Sequence, residues 1–456
     1  MKVELLGGAY AGRSTNTSPE TCINLFVDPS GQGSLVGTPG ATEFVDLGSG
    51  TVRGMWEYKG VLYAVKGATL YSITSAGTTT SLGTVPGSGR VAFADNGPGN
   101  QLSITNGVSQ FTYNVNTSTF STGPAYATMT LDFQDGYMLF PKKDTPTFFV
   151  SNLYDSSTVD PLDFSSAEGS GSDLVSLLCD NREVWLFTGD STEIFYNTGD
   201  ANAPFQRFQG GFTQTGCAAA HTPAHFDNSV VWLSKNDRGQ GLPVRAGKGY
   251  QPEVLTAQHP QVAYQISKYD RIDDAFSYVY QDEGHEFWVL TFPSANATWV
   301  YDGLTQQWHQ RAHVIDSSFP NRERPNAYAF AFGKHLVGDM SSGKILKLST
   351  EVYTYDGDLI PQERTLKGIR DDKDGIRIPI SRVQIEFEEG VGGSAYLKWS
   401  KDDGHTYGTE IEKSIGTTGS YKHRALWHKL GRSRQWTFKF RRSEDAKTII
   451  TNFMVR

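Results

Sequence analysis

Apolar and polar side chains change over at short range along most of this chain, with the period of two that marks a half-buried strand. VLYAV (Val61–Val65) and TLYSI (Thr69–Ile73) are the clearest cases, each with one apolar face. They belong to a longer phrase that begins at Val52: a strand to Tyr58, a Lys-Gly turn, a strand to Val65, a Gly-Ala turn, a strand to Thr74, and a short last strand. The phrase recurs, in degenerate form, about every forty residues. Its later copies begin RVAFADN, TLDFQDG, LVSLLCDN, HFDNSVVW, FSYVYQDEG and AYAFAFGK, making seven units. Four-stranded units repeated at this period predict the blades of a β-propeller.

Three places depart from the repeat. The last unit lacks a fourth strand, and ATEFVDL (Ala41–Leu47), which precedes the first unit, is expected to supply it and close the ring. Asp155 to Gly171 and Thr256 to Tyr269 fit the phrase poorly, which leaves a six-bladed ring with one irregular unit open beside the seven-bladed one. Past Tyr355 the phrase stops. RIPISRVQIEFEEG, SAYLKWSKDDGHTYG, KHRALWHKLG and RQWTFKFRR are longer alternating strands, of the size found in a β-sandwich. The expected fold class is therefore all-β: an extended N-terminal arm (1–40), a propeller (41–355) and a sandwich (356–456), with the charged GIRDDKDGIR at the last boundary.

Composition agrees with this pattern. The 48 glycines and 12% aromatics suit many tight turns between strands. No apolar run approaches the ~20 residues of a membrane span. The N-terminal MKVELLGGAYAG lacks the basic and apolar segments of a signal peptide. Three widely spaced cysteines (Cys22, Cys179, Cys217) read as buried thiols in a reducing compartment. Charge is unevenly divided. Residues 361–456 hold 19 of the 41 Lys/Arg and 13 of the 49 Asp/Glu, which leaves 22 against 36 in residues 1–360. So acidic a main body is unsuited to gripping nucleic acid, and no stable sequence-specific binding is expected.

Candidate chemistry is sparse. WSKDDGHTYG matches the Ser-x-Asp-x-Gly-x-Thr-Trp box of sialidases through Ser400, Asp402 and Gly404, with Tyr407 in place of the tryptophan. The box is a hairpin device in which Ser400 and Asp402 bond backbone N–H groups and Gly404 takes positive φ. Sialidases repeat it on several blades, whereas here it occurs once, outside the repeats, so a structural role is expected. Cys217, His221 and His225 have a spacing that would suit a metal on a helix, but Pro223 forbids a regular one. No G-x-S-x-G elbow, P-loop or H-E-x-x-H occurs. Asp371, Asp372 and Asp374, a conceivable calcium loop, read as a solvated boundary. In HKLGRSRQWTFKFRR (His428–Arg442) the aromatics Trp436, Phe438 and Phe440 are expected in a core, with docking left open for the cations. Core packing is also expected for Trp56, Trp185, Trp232, Trp288, Trp299 and Trp308, against a sugar-stacking role. No catalytic, metal or cofactor site is assigned. The alternatives kept open are a glycan-binding propeller and a sialidase-like glycosidase, which needs two close carboxylates.

RSTNTSPETCINLFVD (Arg13–Asp28) and SLVGTPG (Ser34–Gly40) resemble the N-terminus of the packaged-DNA stabilization proteins of short-tailed bacteriophages, also described as tail hub or nozzle proteins. WVYDGLTQQWHQR and YLKWSKDDGHTYG are similar to that family as well, and Phe26 stands where tyrosine is more usual. The resemblance implies a non-enzymatic virion protein, made and assembled in the host cytoplasm. It would form a homo-oligomeric, hexameric ring below the portal and its adaptor, and extend the channel for double-stranded DNA. It also implies retention of packaged DNA until ejection, and attachment of tail spikes, fibres, a plug or a needle.

Overall fold

The computed structural model describes residues 3–14, 18–30, 33–200, 204–371 and 375–456. Seven four-stranded antiparallel sheets make the propeller. Blades 1 to 6 span residues 52–84, 92–122, 132–166, 174–213, 224–254 and 276–310. Blade 7 takes three strands from residues 325–349. Its fourth comes from the other end of the chain. Of the four N-terminal strands β1 (Thr21–Ile23), β2 (Leu25–Asp28), β3 (Ser34–Gly37) and β4 (Gly40–Asp46), the last pairs antiparallel with Lys344–Ser349. Gly40 is required there by close approach, since a Cβ would sit 2.4 Å from the Val352 carbonyl oxygen and 2.5 Å from that of Thr354.

The two stretches that fit the repeat poorly have structural reasons. The outer strand of blade 3, Asp155–Ser166, bulges out of register with its neighbour between Val159 and Phe164. The segment between blades 5 and 6 contains a short helix, α1 (Pro260–Ile266), with Pro260 in its first turn.

Residues 1–40 are more than an extended arm. β1 pairs with the outer strand of blade 6 (Ile23 with Gln310) and, on its other side, with Gln362–Thr365 (Thr21 with Thr365). One sheet therefore runs from blade 6 through β1 into the second unit, where Gln435–Arg442, Gly393–Ser400 and Ile411–Gly416 continue it. The opposing sheet runs β2, β3, Ile449–Val455, Ile378–Phe387, Ala425–Ser433. Between them lie Val383, Leu397, Trp427, Trp436, Phe438, Phe440 and Phe453, joined by Val3, Leu5, Leu25 and Leu35 from the N-terminal segment. The N-terminal strands thus extend both sheets because their apolar positions are needed to cover this core. Each large side chain buried there contributes about 1.5–3 kcal/mol.

Of the blade tryptophans, Trp185, Trp232, Trp288, Trp299 and Trp308 are buried, and Trp56 lines the cavity on the propeller axis. All three cysteines are free and buried. Among the described residues no helix is long and apolar enough to cross a membrane.

Candidate functional site

A densely bonded group of residues lies where the propeller meets the sandwich. Asn24 separates β1 from β2, is buried, and adopts a left-handed backbone (φ 54°), which asparagine tolerates better than most residues. Its Nδ2 donates to the carbonyls of Ala312 and Pro361, both at 2.7 Å, and its Oδ1 accepts from the Ala312 N–H at 2.8 Å. One amide thus ties the end of blade 6 to the start of the sandwich. Arg364 does similar work one strand away. Its buried guanidinium donates to the carbonyls of Leu5 (3.1 Å), Gly8 (2.6 Å) and Thr21 (3.2 Å). Glu20 lies 3.7 Å from the same group and accepts from the Gly8 N–H.

Two histidines beside this joint are held neutral. Burial pushes His309 well below its ordinary pKa and His313 down to about 3; in the latter Nδ1 accepts from the Arg324 N–H at 3.4 Å. Unfolded, each takes a proton near pH 6.5. Stability therefore falls as pH drops from 6.5 toward 3, by up to about 1.4 kcal/mol per pH unit for each such group. Urea denaturation between pH 7 and 4 should show this slope, reduced in His313→Gln. An equal slope in that variant would refute the assignment.

The propeller axis holds a cavity of about 790 Å³, lined by the innermost strands of all seven blades. Arg90 is one of its lining residues. Its guanidinium stacks on Phe276 of blade 6 at 3.7 Å and donates to the Asn326 carbonyl of blade 7 at 2.6 Å. The carboxylates on the wall are engaged by the protein itself. Asp132 accepts from the N–H groups of Cys179 (2.7 Å) and Phe133 (2.8 Å), and burial raises its pKa to about 6. Glu286 accepts from the Asp227 N–H at 2.9 Å.

The three metal candidates diverge. The Cys217 thiol faces the Ala219 carbonyl at 3.1 Å, His221 lines the axial cavity, and His225, exposed on the same cavity wall, has its Nδ1 on Asp180 at 2.8 Å. Among the described residues no group of three His, Cys, Asp or Glu can hold a metal ion. Asp372 and Asp374, from the proposed calcium loop, lie outside the described residues.

The sialidase-like box lies between Gly393–Ser400 and Ile411–Gly416. Ser400 Oγ donates to Asp402 at 2.5 Å and accepts from the Gly404 N–H at 2.8 Å. Asp402 also accepts from the N–H and hydroxyl of Thr406. These bonds, the one from Ser400 foremost, hold its carboxyl down at about 2. Gly404 has φ 86°, and the Tyr407 hydroxyl packs against it. These side-chain bonds of Ser400 and Asp402 thus stay within the loop. Asp402→Ala should lower the thermal midpoint of the sandwich without removing any activity. An unchanged midpoint would mean the box does not hold the loop.

At the joint, side chains from the N-terminal segment and from the second unit converge and tie β units together. The fold defines a two-unit all-β chain, a propeller followed by a sandwich. Family models described as "Bacteriophage P22 Gp10, beta-propeller" and "Bacteriophage P22 Gp10, beta-sandwich" match residues 1–353 and 369–456. The tail hub protein gp10 of Salmonella phage P22 is 23% identical over 461 positions, covering 95% of this chain and 94% of that protein. The chain belongs to this phage P22 gp10 family. Among solved structures, virginiamycin B lyase from Staphylococcus aureus gives a TM-score of 0.45 at 12% identity over 66% of this chain and 94% of its own. The N-terminal domain of Nup159 gives 0.43 at 10% identity over 76% and 99%. At those scores neither bears on function.

Sequence reasoning singled out the phrase containing Asn24 but gave the residue no role. It missed Arg364 and Arg90, because their partners lie hundreds of positions away along the chain.

Proposed function

We propose that this chain is a structural tail hub subunit of a phage virion. It forms a ring below the head-to-tail adaptor, extends the DNA channel, helps retain packaged DNA and anchors spikes, fibres or a plug. The observation that carries this reading is the joint. The phrase resembling the hub family is the segment that runs through both units and locks them as one body, as a load-bearing wall element requires. The acidic main body supports a lumen that repels DNA and lets it slide during ejection.

The test is electron microscopy with a DNA-retention assay on particles assembled with and without the chain. Loss of a ring below the portal, with leakage of DNA, supports the proposal. Complete tails that keep their DNA without the chain would overturn it and turn attention to glycan binding in the axial cavity.

A further inference from the structure

The bulge on blade 3 projects a small apolar knob. Leu162 is 81% exposed and Phe164 53%, far more than their chemistry favours. Asp160 accepts from the Leu162 N–H at 2.9 Å and so shapes the tip, with Asp163 on its other side. No lysine or arginine occurs between Lys143 and Arg182, so the knob carries uncompensated negative charge along its own stretch of chain. An edge strand is commonly protected by lysine; this one presents leucine between two aspartates.

A groove of matching character lies elsewhere on the same propeller, between the outer strand of blade 5 and α1. It has a volume of about 650 Å³, and Leu242, Val254, Ala257, Ala263 and Tyr264 supply its apolar surface. Among its described lining residues there is no aspartate or glutamate, although this is the acidic part of the chain. Two cations flank it. Arg13 lies 5.2 Å and Lys268 4.0 Å from the centre of the Tyr264 ring, and both are exposed.

We infer that the knob of one copy seats in the groove of the next. Leu162 enters the apolar groove, while Asp160 and Asp163 face Arg13 and Lys268. This deepens the hub reading and rests on it. The two surfaces are different, so the contact is heterologous. They sit two to three blades apart on the propeller, on the order of 100–150° around its axis. A contact repeated from copy to copy therefore turns at each step and curves toward a closed ring, instead of running straight.

Mixing tests this directly. A knob variant (Asp160→Lys, Leu162→Ser, Asp163→Lys) and a groove variant (Arg13→Glu, Lys268→Glu) are each compared with the wild type by mass photometry and sedimentation velocity. The wild type is expected to form one discrete oligomer, and each variant alone to remain monomeric. An equimolar mixture should give dimers and stop there, because one good knob meets one good groove and the charge-swapped pair left over lacks Leu162. That rescue also shows that both variants fold. A chain carrying Asp160→Lys and Asp163→Lys together with Arg13→Glu and Lys268→Glu should regain assembly. A monomeric wild type, a single variant that assembles normally, or a mixture that stays monomeric would overturn the contact. A chain needed for tails in particles yet indifferent to these substitutions would overturn the contact alone and leave the hub reading standing.

Discussion

Replacing Asn24 with alanine is expected to destabilise the protein by about 4 kcal/mol or more and to separate the unfolding of its two units. Three buried bonds vanish, and the N–H and carbonyl of Ala312 and the Pro361 carbonyl lose their partner. Each such orphaned group costs about 1–3 kcal/mol. The left-handed backbone at this position adds about 1–2 kcal/mol against alanine, a penalty glycine escapes. Asn24→Gly should therefore be less damaging than Asn24→Ala, though still far below the wild type. Calorimetry is the decisive measurement: one cooperative transition in the wild type, two in the variants. A single transition with an unchanged midpoint would show that the joint does not couple the units.

Glu323→Gln is expected to cost about 3–5 kcal/mol, the range for breaking a buried ion pair from one side. Glu323 and Arg311 are both buried, 3.7 Å apart, with the Tyr278 hydroxyl donating to Glu323 and Arg311 donating to Tyr280. The two partners are not equivalent. Without Glu323 the guanidinium remains charged, because arginine does not give up its proton. Without Arg311 the carboxyl can take a proton, and burial already pushes its pKa upward. Arg311→Met should accordingly cost less. Its deficit should grow as pH rises, since a carboxyl whose folded pKa is raised contributes stability at low pH and loses it through that pKa. Chemical denaturation of both variants between pH 5 and 8 checks the order and the slope. Equal losses at every pH would refute this account of the pair.

The blades could be read from the sequence because a blade is a local object. Val61–Lys66 pairs with Val52–Tyr58 and Thr69–Ile73, its immediate neighbours in the chain, so period and turn residues announce it together. β1 and β3 are three and four residues long and pair with Thr365, Gln310 and Ile450, far along the chain; only the pairing of β2 with β3 is local. A reader of the sequence sees an arm; the partners that turn it into sheet are visible only in the fold. α1 was obscured for a different reason, since seven residues with two buried positions hardly exceed the noise of a helical period. Within the candidate site, the box at Ser400 to Tyr407 was legible because its bonds span four residues or fewer. Asn24 was legible only as part of a phrase, and Arg364 carried no signal, its carbonyl partners at Leu5 and Gly8 being more than 350 positions away.

The pairing of β3 with Ile449–Val455 sets a condition on biosynthesis. A ribosome delivers Leu35 early and its partner Ile450 only after more than four hundred further residues. Blades can close as they emerge, but the N-terminal strands must wait, with apolar residues such as Leu25 and Leu35 uncovered until the last strand arrives. A prematurely terminated chain would therefore carry a finished-looking propeller and an unsealed edge. Such a product would present that apolar edge to proteases and chaperones.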